Sequence, residues 1–183
     1  MAKSTIIPVP EKFKVFYDRE KMVIRRKWFG PQVFFLIPFI IFWDGFMVFW
    51  FYKAISDEQW MMAAFGSIHG LVGLGMTYFL ICCFVNTTDV SVDPRNLEVK
   101  IQPFPWPGSK KLSSREITQL YCEEKVTHNK NGTSISYLVK VIDQNGKSTK
   151  LIGALKDASE AKFIENKVES ILGIQNQAVA GEI

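Results

Sequence analysis

Residues 31–85 read PQVFFLIPFIIFWDGFMVFWFYKAISDEQWMMAAFGSIHGLVGLGMTYFLICCFV, and the fold turns on this stretch. Pro31 to Tyr52 is apolar apart from Gln32 and Asp44. Trp60 to Val85 is apolar or small apart from His69 and a few hydroxyls. Each run is long enough to cross a hydrocarbon core of about 30 Å at about 1.5 Å per residue. The link Lys53-Ala54-Ile55-Ser56-Asp57-Glu58-Gln59 is too short for anything but an antiparallel connection. The expectation is a transmembrane helical hairpin over 31–85, with helices at 31–53 and 60–85. A buried helix pair in a soluble protein is the competing reading, but runs this long and this aromatic exceed an ordinary core helix.

The hairpin takes roughly a third of the 183 residues, which leaves room for one small polar domain. Net charge is +4, too little to argue for nucleic acid, and its placement says more than its sum. Lys12, Lys14, Arg19, Lys21, Arg25, Arg26 and Lys27 precede the first helix, whereas the link holds Lys53 beside Asp57 and Glu58. By the positive-inside rule both termini are cytoplasmic and the link lies outside, in a bacterial inner membrane or a thylakoid. Trp28, Trp50, Tyr52 and Trp60 stand at the helix ends, where amphipathic rings favour the headgroups. No cleavable signal peptide is visible.

Two features inside the spans bear on function. Ala63, Gly66, Gly70, Gly73 and Thr77 recur at spacings of three, four, three and four, a seam of small residues that lets two helix backbones approach in lipid. Asp44 and His69 are the polar residues, placed symmetrically about a turn centred between Ser56 and Asp57. A polar group in hydrocarbon costs several kcal/mol without a partner, so an Asp44–His69 hydrogen bond is expected. A proton relay, or His69 as axial ligand to a haem or chlorophyll metal, is the functional alternative to that structural pair. Contact with another membrane protein is a third. One Asp and one His are too few for a dedicated metal site.

Outside the hairpin the periodicity changes. Residues 1–11 read as a flexible leader. Residues 12–28 form a basic segment whose β-branched and aromatic runs favour a β-hairpin over an amphipathic surface helix. From 86 to 174 short alternating runs are broken by turn signals, among them Asp93-Pro94, Asn131-Gly132 and Asn145-Gly146. The run closes on a helix capped by Asp157, with Glu160 as capping-box partner and Gly173 as its stop. Residues 175–183 read as a disordered tail. The loop Pro103-Phe104-Pro105-Trp106-Pro107-Gly108 carries Phe104 and Trp106 and is followed by Lys110 and Lys111. It is expected to meet the membrane interface or a partner.

Antiparallel strands followed by one amphipathic helix resemble a pleckstrin-homology-like (PH-like) domain. Three stretches carry a narrower resemblance: Arg25-Arg26-Lys27-Trp28-Phe29, Phe42-Trp43-Asp44-Gly45-Phe46, and Pro105-Trp106-Pro107-Gly108 followed by Ile117-Thr118-Gln119-Leu120-Tyr121. Over residues 13–174 the chain looks like a little-characterised bacterial family of short membrane proteins, in which a two-helix hairpin precedes a cytosolic PH-like domain. The layout is also similar, without a motif match, to the two-helix photosystem assembly factor of plastids and cyanobacteria. The resemblance implies no catalytic residue.

No reaction is written in the residues themselves. No glycine-rich phosphate loop follows a strand, and no cysteine pair or Cys/His cluster has metal-ligand spacing. His128 sits in a turn, and Ser113-Ser114-Arg115-Glu116 has no accompanying base. The expectation is a non-enzymatic, membrane-anchored scaffold or assembly factor without a cofactor. Its partners would be membrane lipids and an integral membrane protein or complex, photosystem assembly being one such role, and not nucleic acid. The alternative is an accessory membrane subunit that uses Asp44 and His69 to bind a cofactor or relay protons.

Overall fold

The computed structural model describes residues 8–130, 132–179 and 181–183. The chain divides into two compact units: Trp28–Asn86, and a β unit formed from the segments before and after it. The expected leader falls largely on residues 1–7, outside the described residues.

In the β unit, β1 (Phe13–Asp18), β2 (Lys21–Lys27), β3 (Thr87–Val92), β4 (Asn96–Gln102) and β5 (Lys110–Ser113) form one antiparallel sheet in that order. A second sheet holds β6 (Ile117–Asn129), β7 (Gly132–Asp143) and β8 (Ser148–Leu155). The inward positions of both sheets share one core, with Met22, Ile24, Val90, Val92, Leu97, Leu120 and Val139 almost fully buried. The C-terminal helix, Ala158–Leu172, presents Ala161, Phe163, Ile164 and Val168 to this core.

Sequence reading separates the basic segment 12–28 from a domain at 86–174, but the sheet joins them. Strand β2 pairs with β3 from Met22 opposite Val92 to Lys27 opposite Thr87. Residues 28–86 are thus an insertion between two neighbouring strands. The alternating Met22 and Ile24 need a buried face, and a two-stranded ribbon alone offers none. The two arginines of β2 are correspondingly occupied. Arg25 forks onto Asp89 at 2.8 and 2.7 Å, Gln102 adds a 2.9 Å bond to the same carboxylate, and Arg26 donates to the Ala154 carbonyl at 2.9 Å.

Two further expectations need correction. Asp157 caps the last helix by accepting from Ser159 N–H at 2.8 Å, but Glu160 reaches past it to the Lys156 N–H at 3.2 Å, so the reciprocal box is offset by one residue. The tail is not a disordered one among its described residues. Asn176 donates to Glu165, Gln119 donates to the Gln177 carbonyl, and Ile183 N–H reaches the Cys122 carbonyl at 3.2 Å. These bonds lay the tail along β6, where Glu182 bridges Glu123.

The other unit is a pair of antiparallel helices, α1 (Gln32–Ser56) and α2 (Trp60–Val85), both long and apolar enough to cross a membrane. The C-terminal helix of the β unit is α3. Val33, Ile40, Met47 and Ala54 are the buried residues of α1 and fall on every seventh position. A strict seven-residue seam is the pattern of a left-handed helix pair. The remaining apolar surface points outward: Phe35 is 80% exposed, Phe42 72%, Val48 71% and Leu71 69%.

Candidate functional site

The hairpin interface is built from a motif that occurs twice. A helical carbonyl already accepts from the N–H four residues on, and the side chain there normally shields it. At two places in α2 that residue is glycine, and a tryptophan of α1 reaches the carbonyl. Trp50 Nε1 donates to Met62 O at 3.1 Å beside Gly66, and Trp43 Nε1 donates to His69 O at 3.3 Å beside Gly73. The two tryptophans, the two carbonyls and the two glycines are each seven residues apart. A Cβ at Gly66 would lie 2.7 Å from Trp50 Nε1, and one at Gly73 would lie 3.0 Å from Trp43 Cδ1 and 2.5 Å from Asp44 Oδ1. Gly70 faces the Phe51 ring, at 3.1 Å from its would-be Cβ. Ala63 is partly buried one turn before Ser67, whose hydroxyl donates to the Ala63 carbonyl at 2.9 Å. Trp50, read in the sequence as a headgroup anchor, thus has its N–H inside the hairpin.

Asp44 and His69 do not pair. Thr77 Oγ1 donates to Asp44 Oδ2 at 2.6 Å, and His69 Nδ1 lies 3.3 Å from its own helix's Phe65 carbonyl. The cause is geometric. Helix α1 runs to Ser56 and α2 starts at Trp60, so the midpoint is Glu58, later than the sequence reading put it. Asp44 is then 14 residues from the midpoint and His69 only 11, an axial offset of about 4–5 Å at 1.5 Å per residue. Helical side chains also lean toward their own N-terminus. Asp44 leans away from the turn and His69 toward it, which widens the gap. Thr77 lies beyond Asp44 and leans back to meet it.

Double mutants should show this exchange of partners. Asp44→Leu and Thr77→Val are expected to be non-additive by about 0.6 kcal/mol, and up to about 2, in detergent unfolding. Asp44→Leu and His69→Ala should add. Coupling in the second pair rather than the first would contradict the geometry.

The proline-rich loop shapes the far side of β4. Ile101 N–H donates to Ser109 Oγ at 3.0 Å and ties the loop base, and Gly108 adopts φ +123°. Trp106 is half-buried and, with the exposed Pro103 and Pro105, lines a cleft of about 620 Å³ that also takes in Glu98 and Lys100. Phe104 is exposed at the tip. The Lys110 ammonium, expected at lipid phosphates, donates instead to the Lys150 carbonyl, while Lys111 stands opposite Glu98. His128, expected in a turn, lies instead at the exposed end of β6, paired with Thr133 and 3.1 Å from its hydroxyl.

One feature carries no sequence signal at all. Glu165 and Glu169 lie one turn apart on α3 and are 3% and 5% exposed. Among the described residues Glu165 Oε2 and Glu169 Oε1 have no donor. Burial, with the charges of Glu165 and Glu182 added, pushes the Glu169 carboxyl up to about 7. Burial likewise raises Glu165, and burial beside Glu165 raises the Cys122 thiol. Among the described residues no three His, Cys, Asp or Glu side chains converge as metal ligands.

No protein-family model matches the chain, and no match is found among characterised proteins or solved structures.

Proposed function

We propose that the chain is a non-enzymatic, membrane-anchored scaffold or assembly factor. The helix pair crosses the bilayer as a hairpin, and the PH-like β unit holds a membrane-protein partner or a lipid surface on the cytoplasmic side. The observation that carries this reading is the outward apolar surface of α1 and α2, where only a seam of residues per helix is buried and aromatic side chains face out. A water-soluble protein does not leave so large a contiguous apolar surface uncovered. The insertion point adds support. Lys27 and Thr87 are paired neighbours in one sheet, so both ends of the inserted segment must emerge on one side of a bilayer. An antiparallel helix pair meets that requirement.

The charge asymmetry sets the side. Cysteine at Ser56, exposed at the end of α1, should react with an impermeant maleimide in intact cells, and cysteine at Asn145, exposed in the β7–β8 turn, should not. The reverse pattern overturns the orientation. Reaction of both in sealed cells overturns the membrane reading.

A further inference from the structure

Resting on that membrane reading, we propose that the open groove beside Asp44 is a docking site for a transmembrane helix of another protein that carries a lysine or arginine at mid-membrane depth. The groove, about 520 Å³, runs between Asp44, Met47 and Phe51 of α1 and Ser67, Gly70 and Leu74 of α2. Asp44 sits near the middle of α1, so its carboxylate is far from either headgroup layer. Its Oδ2 accepts from Thr77, and among the described residues Oδ1 has no donor and rests over Gly73. One hydroxyl does not compensate a carboxylate in hydrocarbon, where such groups pair with one another or face a partner. Neither span contains a lysine or arginine before Lys53 at the end of α1. A cationic partner for the open Oδ1 would therefore come from another chain.

The groove's walls fit a helix as the source. Ser67 and Gly70 keep one wall low, which allows the close backbone approach that helices need in lipid. A second copy of this chain is the wrong occupant. A two-fold interface sets the same patch against itself and would bring Asp44 against Asp44. Like charges at close range in a low dielectric repel strongly. A lipid headgroup is also unsuited, since it would have to descend to mid-bilayer depth.

The test uses the full chain in lipid nanodiscs with synthetic leucine/alanine spanning peptides as probes. The peptides carry lysine, leucine or glutamate at mid-length, and association is read by energy transfer between labels. The lysine peptide should bind about tenfold more tightly than the leucine peptide, equivalent to about 1.4 kcal/mol. The glutamate peptide should bind no better than leucine. Asp44→Asn should remove the lysine preference. Ser67→Phe, at an exposed position that leaves the Asp44–Thr77 bond untouched, should block the groove and weaken all binding, which keeps the test independent of any misfolding at residue 44. Equal binding of the three peptides overturns the proposal. So does self-association of the chain that displaces the lysine peptide. Flotation of the chain with liposomes through alkaline carbonate is measured first: failure there removes the membrane reading, whereas flotation without discrimination among peptides removes only the docking site.

Discussion

Gly66→Ala is expected to destabilise the helix pair by about 1–3 kcal/mol, although alanine is the better helix former by about 1 kcal/mol. The new methyl would lie 2.7 Å from Trp50 Nε1 and 2.8 Å from its Cδ1. An indole is rigid, so relief requires the whole ring to withdraw from the Met62 carbonyl. That gives up the hydrogen bond and opens the seam at Gly66. Gly75→Ala is the internal control. It lies on the same helix with nothing within 4 Å of the added carbon, so propensity alone should act and stability should hold or rise. Gly73→Ala falls between, because the nearest atom is the end of the Asp44 side chain, which can rotate at the expense of its Thr77 bond. Unfolding of the full chain in detergent micelles with rising dodecyl sulfate, followed by tryptophan fluorescence, measures all three. Trp50→Phe should cost Gly66→Ala most of its effect in the double mutant. Equal effects at Gly66 and Gly75 would mean that the glycines serve no contact between the helices.

The seam shows what could be read in advance and what could not. Its small residues stood out because glycine at a three-four spacing contrasts with aromatic neighbours. The facing stripe Val33, Ile40, Met47 and Ala54 did not, because nearly all the residues around it between Val33 and Tyr52 are also apolar. Periodicity needs contrast, and a span that is greasy on all sides supplies none. The partner of Asp44 depended on where the turn is centred and on the lean of the side chains: moving the centre from between Ser56 and Asp57 to Glu58 takes His69 out of level with Asp44, and Thr77 leans back to meet it. The β unit was more legible. Val90 and Val92, Leu97 and Val99, and the α3 stripe Ala161, Ile164 and Val168 alternate against charged residues at strand and helix periods. Pairing of β2 with β3 was hidden because it joins segments separated by both helices, and short-range turn chemistry says nothing about such contacts. The buried glutamates were hidden because glutamate on a terminal amphipathic helix is ordinarily solvated.

Raising the pH from 5 to 8 is expected to lower the stability of the β unit by up to about 3 kcal/mol, and Glu169→Gln should abolish most of that dependence. The groups concerned come from every element that meets there. Helix α3 contributes Glu165, Glu169 and the nearby Lys162, β6 contributes Cys122, and the tail contributes Glu182 and the neutral Asn176. Lysine 162 lowers the Glu165 carboxyl, but burial outweighs it. For Glu169 burial acts first and the two neighbouring carboxylates second, and the Leu120 backbone opposes them without prevailing. The folded state therefore holds a proton on Glu169 up to about pH 7, whereas the unfolded chain releases it near the ordinary value of 4.5. Between those two values the folded state binds more protons, so stability falls as pH rises. The penalty is absent below the unfolded value and complete above the folded one. At about 1.4 kcal/mol per pH unit the ceiling is about 3 kcal/mol. Glutamine keeps the shape and carries no proton equilibrium, so the variant should match the parent near pH 5 and exceed it at pH 8. The tail should loosen first, because Glu182 is the one carboxylate of the three that can leave with its segment. Urea midpoints of the full chain in neutral detergent, with hydrogen exchange at Leu120–Glu123 as the local readout, follow both effects. A parent whose midpoint is level from pH 5 to 8, or rises with pH, would mean that Glu169 is already ionised in the folded state, contrary to this expectation.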